Sequence, residues 1–376
     1  MPLRPMDLWS ASFVQEGYVV VRELGFEGIV KPIPDGESAI LSLVPGTDGK
    51  IYGLTHGRRS HLFVYNNVVV EDCVVPIGIT AENVSGGDLF CTSKGIIHGV
   101  VWGEPAPEGA LVPMSMFRYN PERDLVSSEM AMLFGRIEAI PCPFKGRRIS
   151  RLAFDSSRDT AYGLFLPENI LFAYEAESGC VTEVGCLGEG LVSKTLCVAD
   201  GVVYGAGESG SIFRVDPDRG EIENTAMRLP CGKGKEYVNE AGAWAYDPCI
   251  RTIYGGTFAD GFLFKIELDR GRVICVGRPT EQRPIRCLTV GRDGQVFGIS
   301  GEPKKGICHL FRYDPETGDL RDLGIPHSTI VKCWTAHEID AICTNRCGHI
   351  VMGENDRMSH LLVYYPAVEK RRSSFP

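Results

Sequence analysis

Short runs of alternating apolar and polar residues, broken by glycine and polar turns, recur along the whole chain. The stretch Ile51–Asn66, IYGLTHGRRSHLFVYN, is the clearest. A β-rich Ile51-Tyr52-Gly53 leads into a polar loop, then into the alternating His61-Leu62-Phe63-Val64-Tyr65. This predicts two strands joined by a turn, with Gly57 as the turn residue. The same order of residues returns at Val203-Tyr204-Gly205, Ile253-Tyr254-Gly255, Val296-Phe297-Gly298 and Val351-Met352-Gly353. Weaker copies start at Ala161-Tyr162-Gly163 and at Leu89-Phe90-Cys91, the last reaching Met116-Phe117-Arg118-Tyr119 only after a long insertion.

The step from Gly163 to Gly205 is 42 residues, and from Gly255 to Gly298 it is 43. Short strands repeating at that spacing, with no 3.6-residue apolar pattern, point to β-propeller blades. Seven copies predict an all-β, seven-bladed β-propeller of four-stranded antiparallel blades, in one domain spanning 1–376. The first blade's strands are expected at Ala39–Leu43, Ile51–Leu54, His61–Tyr65 and Val68–Val75. Residues 10–30 contain strand-like runs without a repeat of their own. They are expected to complete the last blade and so remove two open sheet edges. The polar tail 367–376 is expected to be frayed. Asp-Gly turns (Asp48-Gly49, Asp200-Gly201, Asp293-Gly294) and Asp-Pro turns (Asp216-Pro217, Asp314-Pro315) fall on one face of the ring. The remaining loops, where propeller ligands usually bind, fall on the other.

Composition adds limits. The chain has 44 glycines and 23 prolines, which suits many tight turns. It has no apolar run of about 18 residues, so no spanning helix is expected. The first residues, MPLRPMDLWSAS, lack the pattern of a secretory leader. With 14 cysteines, mostly inside apolar strands, the expectation is a cytoplasmic, reduced protein. Cys343 and Cys347, with Cys333, His337 and His349 nearby, read either as a metal site or as ordinary cysteines around a turn. The net charge is −9, yet Arg58-Arg59, Arg147-Arg148, Lys233 with Lys235, and Arg286 cluster basic residues in the loops. That pattern suggests an anionic partner. No basic stripe with interleaved aromatics argues for nucleic acid.

No nucleophile elbow, phosphate loop or zinc-protease motif is present. The candidate chemistry therefore rests on His56, Arg58, Arg59, His61, His98 and Trp102. Of these, His56, Arg58, Arg59, His98 and Trp102 are expected to form one patch, with His98 and Trp102 in the long insertion after Thr92. Loops further along add Lys235 and Tyr237, then Trp334 and His337. His309 and His360 share the repeat position of His61 and read as parts of the blade.

The repeat YGLTHGRRSHLFVYN, with the later HLFRYDPETGDLRDLG, resembles blades of bacterial seven-bladed propeller polysaccharide lyases of the ulvan-lyase and rhamnose–glucuronate-lyase kind. The resemblance implies β-elimination on a uronate-containing glycan, with His and Tyr as acid and base and Arg on the carboxylate. His56, His98, Tyr237 and Arg59 are the candidates for these catalytic roles. Arg58, His61, Trp102, Arg147, Arg148, Lys235, Arg286, Trp334 and His337 are the candidates for holding an acidic oligosaccharide. The His-x-His metal cluster of oligogalacturonate lyases is missing, and no cofactor is expected. One alternative is a non-catalytic module binding carbohydrate or protein. Another is a metal-dependent lactonase or hydrolase, with Asn239, Glu240 and Glu338 as ligands of a divalent ion. No membrane partner is expected.

Overall fold

The computed structural model describes residues 13–25, 31–66, 73–104, 112–124, 136–144, 146–188, 190–281, 284–302, 308–330 and 332–367. Their strands form antiparallel sheets arranged as a β-propeller. Three sheets have four strands each in simple succession: 197–228, 241–277 and 285–324. A fourth, between 148 and 186, has two short strands, Arg148–Ile149 and Ala153–Asp155, sharing the innermost place against Thr160–Leu166.

The closing sheet takes Ile339–Thr344, Ile350–Glu354 and Leu361–Tyr365 from the end of the chain and Tyr18–Arg22 from its beginning. Tyr18 pairs with Tyr365 and Arg22 with Leu361, antiparallel. The N-terminal strand thus completes the last blade, as expected. Residues 10–12 and 26–30 of the expected closing segment, and 368–376 of the expected tail, lie outside the described residues.

The expected seven separate blades are corrected to six. The first two repeats merge into one six-stranded sheet: Ala39–Pro45, Ile51–Asn66, Cys73–Cys91, Ile97–Gly103, Met114–Tyr119 and Glu138–Ile140. Two features cause the merger. Ile51–Asn66 is a hairpin whose tip stays extended, so Gly57 pairs with Val84 and Arg59 with Glu82. Cys73–Cys91 then runs on without a break and pairs with the next repeat, Val84 against Gly103. In the expected fourth strand of this repeat, 68–72 lies outside the described residues and Cys73–Val75 is extended.

The glycine–aromatic signature is a packing rule. At Gly53, Gly99, Gly163, Gly205, Gly255 and Gly298 a Cβ would stand 2.0 to 2.6 Å from a Phe ring carbon of the neighbouring strand, for example 2.2 Å from Phe264 at Gly255. The residue before each glycine is buried between sheets: Tyr52, His98, Tyr162, Tyr204, Tyr254 and Phe297, with Met352 in the last repeat. Apolar clusters fill the spaces between successive blades, such as Tyr254, Leu263, Ile285 and Phe311. All fourteen cysteines are free thiols. No helix among the described residues is long and apolar enough to cross a membrane.

Candidate functional site

Seven segments of the chain converge on the ring's axis. They are Ser42-Leu43, Asp88-Leu89, Arg151-Leu152, Thr195-Leu196, Gly242–Trp244, Arg286–Leu288 and Asp340–Ile342, around a cavity of about 290 Å³. Each segment belongs to an innermost strand or runs into one, so the repeat itself brings these residues together.

The polar side chains in the wall are mostly engaged. Asp88 accepts Ser42 Oγ at 2.7 Å and the Leu152 amide at 2.8 Å. Arg286, whose side chain is 9% exposed, donates Nε to Asp340 at 2.6 Å and Nη2 to Glu338 at 2.8 Å. Burial alone would lower the Arg286 pKa, but the two carboxylates raise it. Trp244 donates its indole N–H to the Thr195 carbonyl at 3.1 Å. Arg151 differs. It is exposed, reaches the Asp340 carbonyl at 3.4 Å, and has no carboxylate partner among the described residues.

From Asp340 a polar chain leads to the loop face. Asn355 Nδ2 donates to Asp340 at 2.5 Å, and its Oδ1 lies 2.7 Å from His56 Nε2. This is the junction of the first and last repeats, and it gathers much of the expected patch. Glu37 is fully buried there. It accepts Arg58 at 2.8 Å and Arg59 at 2.9 Å, and lies 2.9 Å from His61 Nε2. Burial would raise the Glu37 pKa. Hydrogen bonds from Arg59, His61 and Arg58 override it and hold the group at about 2. Burial lowers the His61 pKa, against the opposing pull of Glu37.

Gly57 makes the junction possible. Its φ is 128°, and the Gly36 carbonyl would stand 2.0 Å from a Cβ there. Only glycine lets the segment carrying Glu37 lie against the Arg58-Arg59 tip.

The last repeat builds a parallel arrangement around buried Glu354. This carboxylate accepts the Trp334 indole N–H at 3.0 Å and the backbone amides of His337 and His360, each at 3.1 Å. Lys332 Nζ lies 3.2 Å from His360 Nε2 and 3.0 Å from Glu23.

Other expected site residues fall elsewhere. His98 and Trp102 are not in a loop, because Ile97–Gly103 is a strand. Ile97-His98-Gly99, and not Leu89-Phe90-Cys91, is the second repeat's copy of Ile51-Tyr52-Gly53. His98 therefore fills the buried aromatic position, stacked on Phe90 at 5.1 Å between ring centres. Burial pushes its pKa down to about 4, and Nδ1 has no hydrogen-bond partner. It follows the turn Thr92–Ile96, whose Gly95 abuts Thr47 of the turn before Ile51. His56 lies at the far end of its own strand, so His98 stands apart from the junction that gathers His56, Arg58 and Arg59. Trp102, partly buried, packs on Gly86.

Arg147 stacks on Phe165 and pairs with Glu183 at 2.6 Å. Arg148 is exposed on its own short strand. Lys235 pairs at 2.7 Å with the buried Asp260. The Tyr237 side chain lies outside what is described; its backbone belongs to the short helix Glu236–Val238. His309 pairs with Asp322 at 2.9 Å on the strand beside it. Among the described residues no group of three or more His, Cys, Asp or Glu is placed to hold a metal ion. Sequence reasoning missed Glu37, Asp340, Asn355, Glu354 and Arg151. The recurrence of Arg58-Arg59-Ser60-His61-Leu62 as Arg357-Met358-Ser359-His360-Leu361 was a signal for the paired junction.

No known family's sequence profile matches the chain, and no curated protein matches it in sequence. Solved structures do share the fold. A streptogramin B lyase is 12% identical with a TM-score of 0.64, covering 92% of this chain and 97% of that one. A chain of the mitotic checkpoint complex is 10% identical with a TM-score of 0.57, covering 94% and 95%. U3-55K is 11% identical with a TM-score of 0.54, covering 93% and 98%. At such identities the likeness is one of fold alone.

Proposed function

We propose that the chain is a non-catalytic binding ring that takes a small acidic, sugar-sized ligand in its axial cavity. The observation that carries this reading is the pairing of the cations. Arg58, Arg59, Arg147, Lys235 and Arg286 each hold a carboxylate of the protein's own. Arg151 stands in the cavity wall without one. A guanidinium in a walled site is suited to a carboxylate or phosphate. The cavity, at about 290 Å³, sits at the lower end of small-molecule sites. We read the ring as seven repeats about this axis, since seven segments line it although the first two repeats share a sheet.

The test is calorimetric titration with glucuronate, galacturonate and their oligomers, with absorbance at 235 nm followed in parallel. Saturable binding without an absorbance rise is expected. Absence of binding for all of these ligands overturns the reading.

A uronate lyase is the second reading. It is favoured by His56, which stands two hydrogen-bonded steps from the cavity wall through Asn355 and Asp340. Elimination generates an unsaturated product, so rising absorbance that His56→Ala abolishes would put this reading first. The similarity to streptogramin B lyase supplies the fold and no assignment of substrate. The acidic glycan partner and the cytoplasmic location belong with these proposals.

A further inference from the structure

We propose that a second cleft, between the sheets 160–186 and 197–228, binds a zwitterion of the α-amino acid class. The cleft measures about 330 Å³ and lies away from the axis. Glu208 and Arg228 both line it, and both are exposed. Neither makes an ion pair among the described residues, with each other or with any neighbour. On the adjoining strands Arg214 and Glu223 do pair, at 2.7 Å. Opposite charges that share a cleft and leave each other unpaired fit a ligand that carries both signs. The carboxylate of such a ligand faces Arg228, and its ammonium faces Glu208.

The rest of the cleft suits that ligand. Phe213 and Ile222 supply apolar floor for a side chain. The Glu208 turn is held in place: Ser211 Oγ donates to the Glu208 carbonyl at 2.8 Å. Between them Ser209, also lining the cleft, adopts φ 54° and ψ 28°, a left-handed conformation uncommon for serine. Such strain persists where the surroundings impose it, and it concentrates at binding sites.

Cys186 gives a local readout, because it is an exposed free thiol in the cleft lining. Cys180, also exposed and free, precedes the same strand, does not line the cleft and serves as internal reference. The experiment is iodoacetamide labelling of the full chain, with and without each common L-amino acid, quantified by peptide mass spectrometry. At about ten times its Kd an amino acid is expected to slow Cys186 labelling about tenfold and leave Cys180 unchanged. Arg228→Ala and Glu208→Ala should each remove the protection at unchanged melting temperature, and Arg151→Ala should not. Acetate alone and methylammonium alone should protect weakly. The proposal falls if no amino acid protects Cys186, if protection survives in both cleft variants, or if either single-charge ion protects equally well.

Discussion

His61 Nε2 lies 2.9 Å from Oε2 of Glu37, a fully buried carboxylate that also holds Arg58 and Arg59. The pair joins the segment before the first repeat to the tip of its hairpin. Its charge is shared among three residues that were expected to meet a substrate.

Glu37 makes stability depend on acid. Its pKa is held at about 2, below the usual 4.5. A depressed folded pKa gives stabilisation that is complete above pH 4.5 and fades as pH falls through about 2. Glu37→Gln is expected to cost on the order of 3 kcal/mol at pH 7, because cations lose a buried partner. Denaturant unfolding at several pH values checks this. The gap between native and variant proteins should close toward pH 2; a gap that persists there counts against the assignment.

His98 works in a higher window. Burial holds its pKa near 4 against the ordinary 6.5. The neutral ring is the folded form, so its contribution is present above pH 6.5 and is lost as pH falls through 4. His98→Phe keeps the stack on Phe90 and should flatten the stability curve between pH 6.5 and 4. Its binding at neutral pH should be unchanged. A variant that loses binding while melting normally would return His98 to the functional site.

Asp340 neutralises Arg286 in the cavity wall and ties it through Asn355 to His56. Asp340→Ala leaves a largely buried guanidinium with Glu338 as its remaining acid, and should cost about 3 kcal/mol. The double variant Asp340→Ala with Arg286→Met should recover part of that loss. Chemical denaturation of the four proteins of this cycle measures the coupling.

Arg151→Ala should lower affinity for an acidic ligand by tenfold or more, the scale of one charge-assisted hydrogen bond, about 1.5–3 kcal/mol. Having no ion pair to lose, it should change stability by less than about 0.5 kcal/mol. Titration calorimetry and melting curves on one preparation separate the two effects. Unaltered affinity would remove Arg151 from the site.

Much of the fold was legible because each repeat carries a local rule. Gly205 under Phe213 and Gly255 under Phe264 are needed wherever a ring lies flat on the adjoining strand, so the glycine and the aromatic recur together. The second repeat was misread because Ile97-His98-Gly99 carries histidine where its siblings carry an aromatic residue. The insertion before Met114 also stretches the distance from Gly99 to Phe117. The blade count was misread for a different reason. The strand pairing of Gly57 with Val84 belongs to two repeats at once and leaves no periodic trace.

The sequence by itself determined the strand pattern, the turns and the ring closure by Tyr18–Arg22, since alternation and spacing are properties of neighbours along the chain. Only the tertiary structure decided which charges are free. Glu37 meets His61 from 24 residues away, and Asn355 meets His56 from 299 away. No local pattern encodes such meetings, because they depend on how the first and last repeats come together across the closed ring. Whether a basic residue binds a ligand or is spent on a buried carboxylate follows from that closure.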